Sequence, residues 1–431
     1  MNFKEYIHIN KNRFINELKE FLSIKSISAL KENIQDMHKA VNFLKKKLIE
    51  VGINNIKLYS TNNIPILYGE KIIDQKLPTI LIYGHYDVQP IGPINLWDSD
   101  PFKPIIKYTN IHDQGAIFAR GATDDKGQLY MYIKALEIIN YYNIYNFNIK
   151  IIIEGEEEIG SNELKKLIIK NPELIKSDYA LISDTSMIDK NIPAITESLR
   201  GIMAMEIEIS NQQNKDLHSG IYGGLIINPV NILSNIISNL SNLKGETNIP
   251  FFYKNVLNYN SFNKNNTNKL LLPSIDVNGL CGGYFKDGIK TIIPHKGLAK
   301  ISIRTVPNQN YDFIYDNIVK YINSILPVDI SLKTTKYQGA NPVLLKKNSK
   351  IYEVATNALK KTYKVNTVQS IYGGGSIPIV DILQNKLGIN VLLLGFGLES
   401  DDAHAPNEHY GIDNYLKGIE TILYINKYIS F

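Results

Sequence analysis

Cysteine is nearly absent: Cys281 is the only one in 431 residues. An intrachain disulfide is therefore impossible, and a zinc site built from several thiolates is excluded. Long apolar runs are missing as well. No segment approaches the roughly 20 residues needed to cross a bilayer. The opening MNFKEYIHINKNRFINELKEFLSI carries charge throughout and lacks the apolar core and small-residue cleavage site of a secretory signal. A cytoplasmic protein with no membrane partner is expected. Nor is the charge one-sided: 47 basic and 42 acidic residues leave a formal +5, spread along the chain with no dense basic block. Nucleic acid is thus not an expected partner. What is present, 44% hydrophobic and 21% charged residues, is the make-up of a globular chain with ample core. Its length suits two or three domains.

Apolar residues at 3–4 spacing predict an opening helix to about Ile24 and a second from about Asn33 to Val51. LPTILIYGHYD and NIKIIIEGEEE then read as short strands that each end in polar residues, with the helix KGQLYMYIKALEIINYY between them. DYALISD is another strand ending in an acid. Such alternation argues for an α/β fold with a mostly parallel central sheet, whose ligands gather beyond the carboxyl ends of the strands. Near Arg200 the pattern changes. GIMAMEIEIS, GLAKISIRTV and VDISLKTTKY are strands, and NPVNILSNIISNLS and YDFIYDNIVKYINSI are helices. They form an inserted α+β unit over residues 198–337, flanked by the two halves, 1–197 and 338–431, of the first domain. In the second half KNSKIYEVATNALKKTY is a helix and NVLLLGFG a buried strand, while the Asn-rich residues 259–270 read as a polar loop.

The strand ends carry the chemistry. In GHYDVQP, His85 and Asp87 sit two apart in an extended segment, so both point to one side. A histidine beside a carboxylate is a common metal-ligand arrangement, although alone an ordinary loop histidine is the simpler reading. In RGATDDKGQ, Asp124 and Asp125 precede a helix, where acids also cap N-termini; Asp124 could instead bridge two cations. EGEEEIGS packs Glu154, Glu156, Glu157 and Glu158 where a buried strand runs out. Asp184 in LISDTS and His404 in SDDAHAPNEHY follow two further buried strands. Each has a bland explanation, but the five share none. Together they suit a pair of zinc-like ions with open positions for water.

With GHYDVQP, LWDSDPFKP, RGATDDKGQ, EGEEEIGS, LISD, LHSGIYGG, TIIPHK, SIRTVPN, GGSIP and DDAHAPNE in this order, the chain resembles the M20 metallopeptidases from about residue 80 to 408. It is most similar to their cytosolic dipeptidase and carnosinase-like branch. The resemblance implies a zinc-peptidase-like catalytic domain with an inserted ferredoxin-like lid and dimerisation domain. It also implies two divalent metal ions, zinc expected and manganese or cobalt as alternatives. His85, Asp124 and Asp184 would hold one, and Asp124, Glu158 and His404 the other. Asp87 would orient His85, and Glu157 would be the general base. His218 would act across the interface of a homodimer on the partner's substrate, and Arg304 would bind a substrate carboxylate. Thr291 and Ser376 match substrate contacts more loosely. Tyr372 and Gly373 depart from the family pattern before GGSIP, which leaves substrate preference open. His8, His38, His112 and His295 match no role, and His409 is read as a neighbour of the metal ligands.

The resulting expectation is a hydrolase cleaving dipeptides or short peptides. An N-acyl amino acid deacylase of the acetylornithine or succinyl-diaminopimelate type is the alternative, since the same centre would serve both. A metal-free binding protein on the same fold would be expected to have lost a ligand or the base, and none is missing.

Overall fold

The computed structural model describes residues 2–60, 64–242, 245–257, 269–337 and 339–429. Residues 259–268 of the Asn-rich stretch thus lie outside the described residues. The chain divides into two compact units.

The first comprises Met1–Glu197, Leu345–Ile371 and Ile379–Phe431. Its sheet runs Asn55–Tyr59, Ile66–Lys71, Asn148–Glu154, Thr79–His85, Tyr179–Ile182, Asn390–Leu393, Ala194–Leu199. The four strands from Asn148–Glu154 to Asn390–Leu393 are mutually parallel. Antiparallel strands flank them on both sides. The parallel part explains the runs Ile80–Tyr83 and Ile151–Ile153: helices cover both faces, so neighbouring positions are apolar instead of alternating. Ile80, Leu81, Ile151 and Ile153 are all fully buried.

The helix Lys126–Tyr142 is buried from Lys126 to Leu136 without a polar face, because Phe3–Leu22 and Ile412–Tyr428 pack against it. Ile412–Tyr428 has no counterpart in the reading of the sequence. Lys134, on the covered helix, reaches Glu17 Oε2 at 2.5 Å and Glu137 Oε2 at 2.6 Å. Arg13 donates to Glu17 Oε1 at 2.8 Å, and the Tyr130 hydroxyl to Glu17 Oε2 at 2.9 Å. This network ties the first helix to the core helix.

The second unit comprises Ser198–Leu344 and Tyr372–Pro378. Its sheet order is Ser274–Gly282, Lys296–Thr305, Gly201–Asn211, Ile330–Lys336, antiparallel throughout. With the helices Pro229–Leu240 and Tyr311–Ile325 the chain order is β-α-β-β-α-β, a ferredoxin-like arrangement. Gly201–Asn211 alternates strictly, and buries Met203, Met205, Ile207 and Ile209 in one core with Leu233, Ile236, Ile314 and Ile318. Asn228 and Asn310 cap the two helices, accepting from Val230 N and Phe313 N. The reading of the sequence ended this unit at 337 and left Ser376 outside it. In the structure Ala340 bridges to Ile202, and the Ser376 hydroxyl donates to the Arg200 carbonyl. Both contacts draw later chain into the unit. Among the described residues no helix is long and apolar enough to cross a membrane.

Burial alone would raise the pKa of Glu17, but Lys134, Arg13 and Tyr130 override it and hold the carboxyl down at about 2. A carboxylate whose folded pKa lies below its unfolded value of 4.5 stabilises fully above that value and loses the contribution as pH falls toward the folded one. The stability gap between the wild type and Glu17→Gln, measured by urea unfolding, should therefore be largest at neutral pH and close between about pH 4.5 and 2. A gap that stays flat across that window would show that the charge of Glu17 contributes nothing.

Candidate metal centre

The parallel strands of the first unit deliver the predicted residues to one edge. His85 ends Thr79–His85 and is fully buried. Its Nδ1 lies 3.1 Å from the Asp87 carbonyl and 3.3 Å from Asp87 Oδ1. Both partners are acceptors, so Nδ1 carries a proton and Nε2 is the ring nitrogen turned to the site. Nε2 faces Asp124 Oδ1 at 3.1 Å and Asp184 Oδ2 at 4.0 Å, yet makes no hydrogen bond among the described residues. Against burial, Asp124 and Asp87 hold the imidazole well above its usual pKa, so the carboxylates here draw positive charge to Nε2, as a proton or as a metal ion.

The Asp87 carboxylate does more than orient the imidazole. It accepts from Glu157 N at 3.3 Å and Glu158 N at 3.1 Å, and so fixes the turn that aims both side chains. Gly155, in the same turn, lies against Tyr86: a Cβ there would stand 2.4 Å from the Tyr86 ring. The four glutamates separate completely. Glu154 is buried and accepts from the Tyr83 hydroxyl at 2.8 Å, its carboxyl raised to about 7 by burial. Glu156 accepts from Glu163 N at the start of the helix Asn162–Lys170. Glu157 and Glu158 face the site.

His85, Glu157 and Asp184 offer ligand atoms all within 4.8 Å of one another, as do Asp124, Glu158 and His404. Asp124 joins the groups by turning one oxygen to each. Oδ1 is 3.1 Å from His85 Nε2, and Oδ2 is 2.8 Å from His404 Nε2. His404 Nε2 also lies 3.2 Å from Glu158 Oε2, which accepts from Gln89 Nε2 at 2.7 Å. His404 reaches inward from a turn in which it, Asp402 and Asn407 all have positive φ.

The capping reading of the Asp124–Asp125 pair fails. Asp125 occupies the N-cap position of Lys126–Tyr142 but makes no capping hydrogen bond; it accepts from His85 N at 3.2 Å. Asp124 is aimed instead by Glu408, whose role the reading of the sequence missed although it quoted the motif. Glu408 Oε1 accepts from Thr123 N and Asp124 N, and Oε2 from Gly121 N and Arg120 Nη1. Glu408 follows Asp124 by 284 positions, too far for any spacing signal in the sequence to link them.

Electrostatics sets the demand. Burial raises Asp184 and Glu157 well above the usual carboxylate range, with the Asp124 charge adding to it. Burial also lifts Asp125 to about 8. Asp124 is held low: burial opposes this, but His404 and His85 overcome it. Asp124 and Glu158 push His404 up to about 11. The carboxylates outnumber the imidazoles, and the ring and carboxylate donors suit a divalent ion of the zinc type.

In the second unit the predicted residues fall into two pairs. His218 and Thr291 adjoin on the short ladder Leu217–His218 with Ile292–Ile293, where Ser219 N donates to the Thr291 carbonyl. His218 Nδ1 accepts from Gly220 N at 3.0 Å, so its proton is on the exposed Nε2. Arg304 Nη1 donates to Ser376 Oγ at 3.1 Å. Burial lowers the pKa of Arg304 and of Arg200, and in Arg200 the nearby Arg304 charge adds to the effect.

The profile of Peptidase family M20/M25/M40 matches residues 81–427, and the chain belongs to that family. It is 30% identical to the Cys-Gly metallodipeptidase dug1 of Schizosaccharomyces pombe, over 96% of this chain and 95% of that protein. It is 29% identical to the Beta-Ala-His dipeptidase of Mus musculus, over 96% and 92%. The solved structure of the M20 family metallo-carboxypeptidase Sso-CP2 from Sulfolobus solfataricus superposes with a TM-score of 0.83 at 31% identity, covering 97% of this chain and 99% of the other.

Replacing Glu408 by alanine strands Arg120, which is 1% exposed, and frees the Asp124 turn. Losing one partner of a buried ion pair costs about 3–5 kcal/mol, and losing support behind metal ligands weakens binding roughly 10–100-fold. Glu408→Ala should show both losses, by urea unfolding and by zinc competition against a chelator. Wild-type zinc affinity in a folded variant would remove Glu408 from the support of the centre.

Proposed function

We propose that the chain is a two-metal dipeptidase, hydrolysing the amide bond of dipeptides or short peptides that carry a free carboxylate. The observation that carries this reading is the split of Asp124, one oxygen toward His85 and the other toward His404. A carboxylate shared between two clusters fits two cations better than one. His85, Asp124 and Asp184 would hold the first ion, and Asp124, Glu158 and His404 the second, with zinc the favoured identity. Bound there, the pair would polarise the scissile carbonyl and lower the pKa of the attacking water.

The remaining work falls to the chain's own groups. Glu157 takes the proton of the water and returns it to the departing amine. Asp87 keeps the proton of His85 on Nδ1 and holds Glu157 in place through its backbone. His218, with its proton on the outer nitrogen, is the proposed donor to the developing oxyanion. Arg304, with Ser376 at its guanidinium, is the proposed anchor for the substrate carboxylate, and Thr291 a further substrate contact. Two depressed guanidiniums within one unit are a natural receptor for an anion.

We further propose a homodimer in which His218 serves the partner's substrate. Support comes from the outer strand Ser274–Gly282, where Val277 and Leu280 are exposed, and from Phe285 and Ile289 just beyond it. An open strand edge with apolar side chains is a surface that calls for a partner. The names of the similar proteins favour dipeptides over N-acyl amino acids, because both curated relatives are dipeptidases.

Two measurements test the reading. Glu157→Ala should retain wild-type metal content and lose on the order of 10²–10⁴-fold in kcat, the range of a general base; undiminished turnover would exclude Glu157 from proton transfer. Across a panel of dipeptides and N-acyl amino acids, kcat/KM should favour the dipeptides. Faster turnover of N-acetylornithine or N-succinyl-diaminopimelate would move the chain to the deacylases.

A further inference from the structure

A third group of metal-ligating side chains is buried apart from the two triads. His112, Asp401 and His409 are 1%, 0% and 7% exposed, and their ligand atoms all lie within 4.8 Å of one another. Local structure brings them together. His409 opens the strand His409–Gly411, which pairs with Ala116–Phe118 so that His409 stands opposite Phe118. Their rings stack at 4.4 Å. His112 precedes Ala116–Phe118 and is pressed on Gly411, where a Cβ would come within 2.3 Å of His112 Nδ1. Asp401 closes the short turn Glu399–Asp401.

The protons do not satisfy this group. His409 Nδ1 is 3.0 Å from the Asn407 carbonyl, which can only accept, so Nδ1 carries the proton and Nε2 a lone pair. That lone pair faces Asp401 Oδ1 at 3.7 Å, acceptor against acceptor. His112 Nε2 lies 2.7 Å from the same oxygen. The other carboxylate oxygen is engaged elsewhere, by Leu398 N at 2.9 Å and Thr123 Oγ1 at 3.4 Å. A proton on His112 serves one of the two imidazoles and leaves the other facing an anion with nothing between them.

We propose that His112, Asp401 and His409 hold a further divalent cation, distinct from the peptidase centre and structural in role. Two imidazoles and a carboxylate favour zinc, cobalt or nickel over magnesium or calcium. Ligand bonds of about 2.0–2.2 Å in tetrahedral geometry set neighbouring donors about 3.3 Å apart, and the two spacings to Asp401 Oδ1 lie on either side of that. The Asn407 carbonyl on His409 Nδ1 is the kind of outer contact that orients a metal-binding imidazole. Through Thr123 the cation would brace the turn that carries Asp124, and so join the paired strands Ala116–Phe118 and His409–Gly411 to the base of the active centre.

Zinc per chain, measured by inductively coupled plasma mass spectrometry after dialysis against buffered micromolar zinc, tests the site. Asp124→Ala removes the shared ligand of the peptidase centre, and this protein should keep one zinc that Asp124→Ala/His409→Phe lacks. Phenylalanine preserves the stack on Phe118 while deleting the nitrogen. In the wild-type background His409→Phe should bind one zinc fewer, and His112→Gln gives the same readout by a second route if His409→Phe does not fold. The proposal is overturned if Asp124→Ala holds no zinc, or holds it equally with and without His409. Failure of the two-metal reading looks different: the wild type would then carry one zinc, lost with His409.

Discussion

Asp124 occupies the middle of the candidate centre because a carboxylate outside the centre holds it there. Glu408 takes four donors, three backbone N–H groups of residues 121–124 and the guanidinium of Arg120, each within 3.1 Å. A carboxylate can accept that many bonds only when ionised and fully enclosed by donors. Burial pushes Glu408 up to about 7, and Arg120 and the N–H groups of Gly121 and Asp124 oppose that rise. Remove either partner and the turn loses its template, and with it the direction of both Asp124 oxygens. The geometry of the candidate centre is therefore inherited from a buried ion pair behind it.

The same logic recurs at Asp87. Its carboxylate gathers Glu157 N and Glu158 N while its carbonyl fixes the proton of His85. One residue thus couples His85 on one strand end to Glu157 and Glu158 on the next. Parallel strands make this possible, since they bring successive carboxyl ends to the same edge, where loops from distant sequence can share partners. Concentrating so many acids in a buried pocket is unfavourable in the absence of cations, as the raised Asp184 and Glu157 show. Cation binding and folding of this edge are in that sense one process.

Much of this was legible in the sequence because the signals are local. Buried strands ending in His85, Asp184 or the glutamate run declare themselves through apolar runs that stop at a ligand-type residue. The alternation of Gly201–Asn211 declares the second unit equally well. What escaped were relations between distant segments. Glu408 supports residues 288 to 284 positions earlier, and no spacing rule reaches that far. The antiparallel strands beside the parallel core were also missed, since Asn55–Tyr59 has no buried residue to mark it. The contacts of Ser376 were hidden for a similar reason: its partners Arg200 and Arg304 are more than 70 positions away.

EGEEEIGS shows how far residue type alone can mislead. Four carboxylates within five positions look alike on paper, yet each has a different neighbour: a tyrosine hydroxyl for Glu154, a helix start for Glu156, and the two halves of the centre for Glu157 and Glu158. The turn between them separates the side chains. The short helix Glu157–Ile159 rotates successive residues apart, while Asp87 pins the first two of its N–H groups. Neighbours in sequence thereby become occupants of different clusters. That separation turns Glu157 toward His85 and Asp184 and Glu158 toward Asp124 and His404, a division that a strand, with alternate residues on opposite faces, could not have made within a single edge.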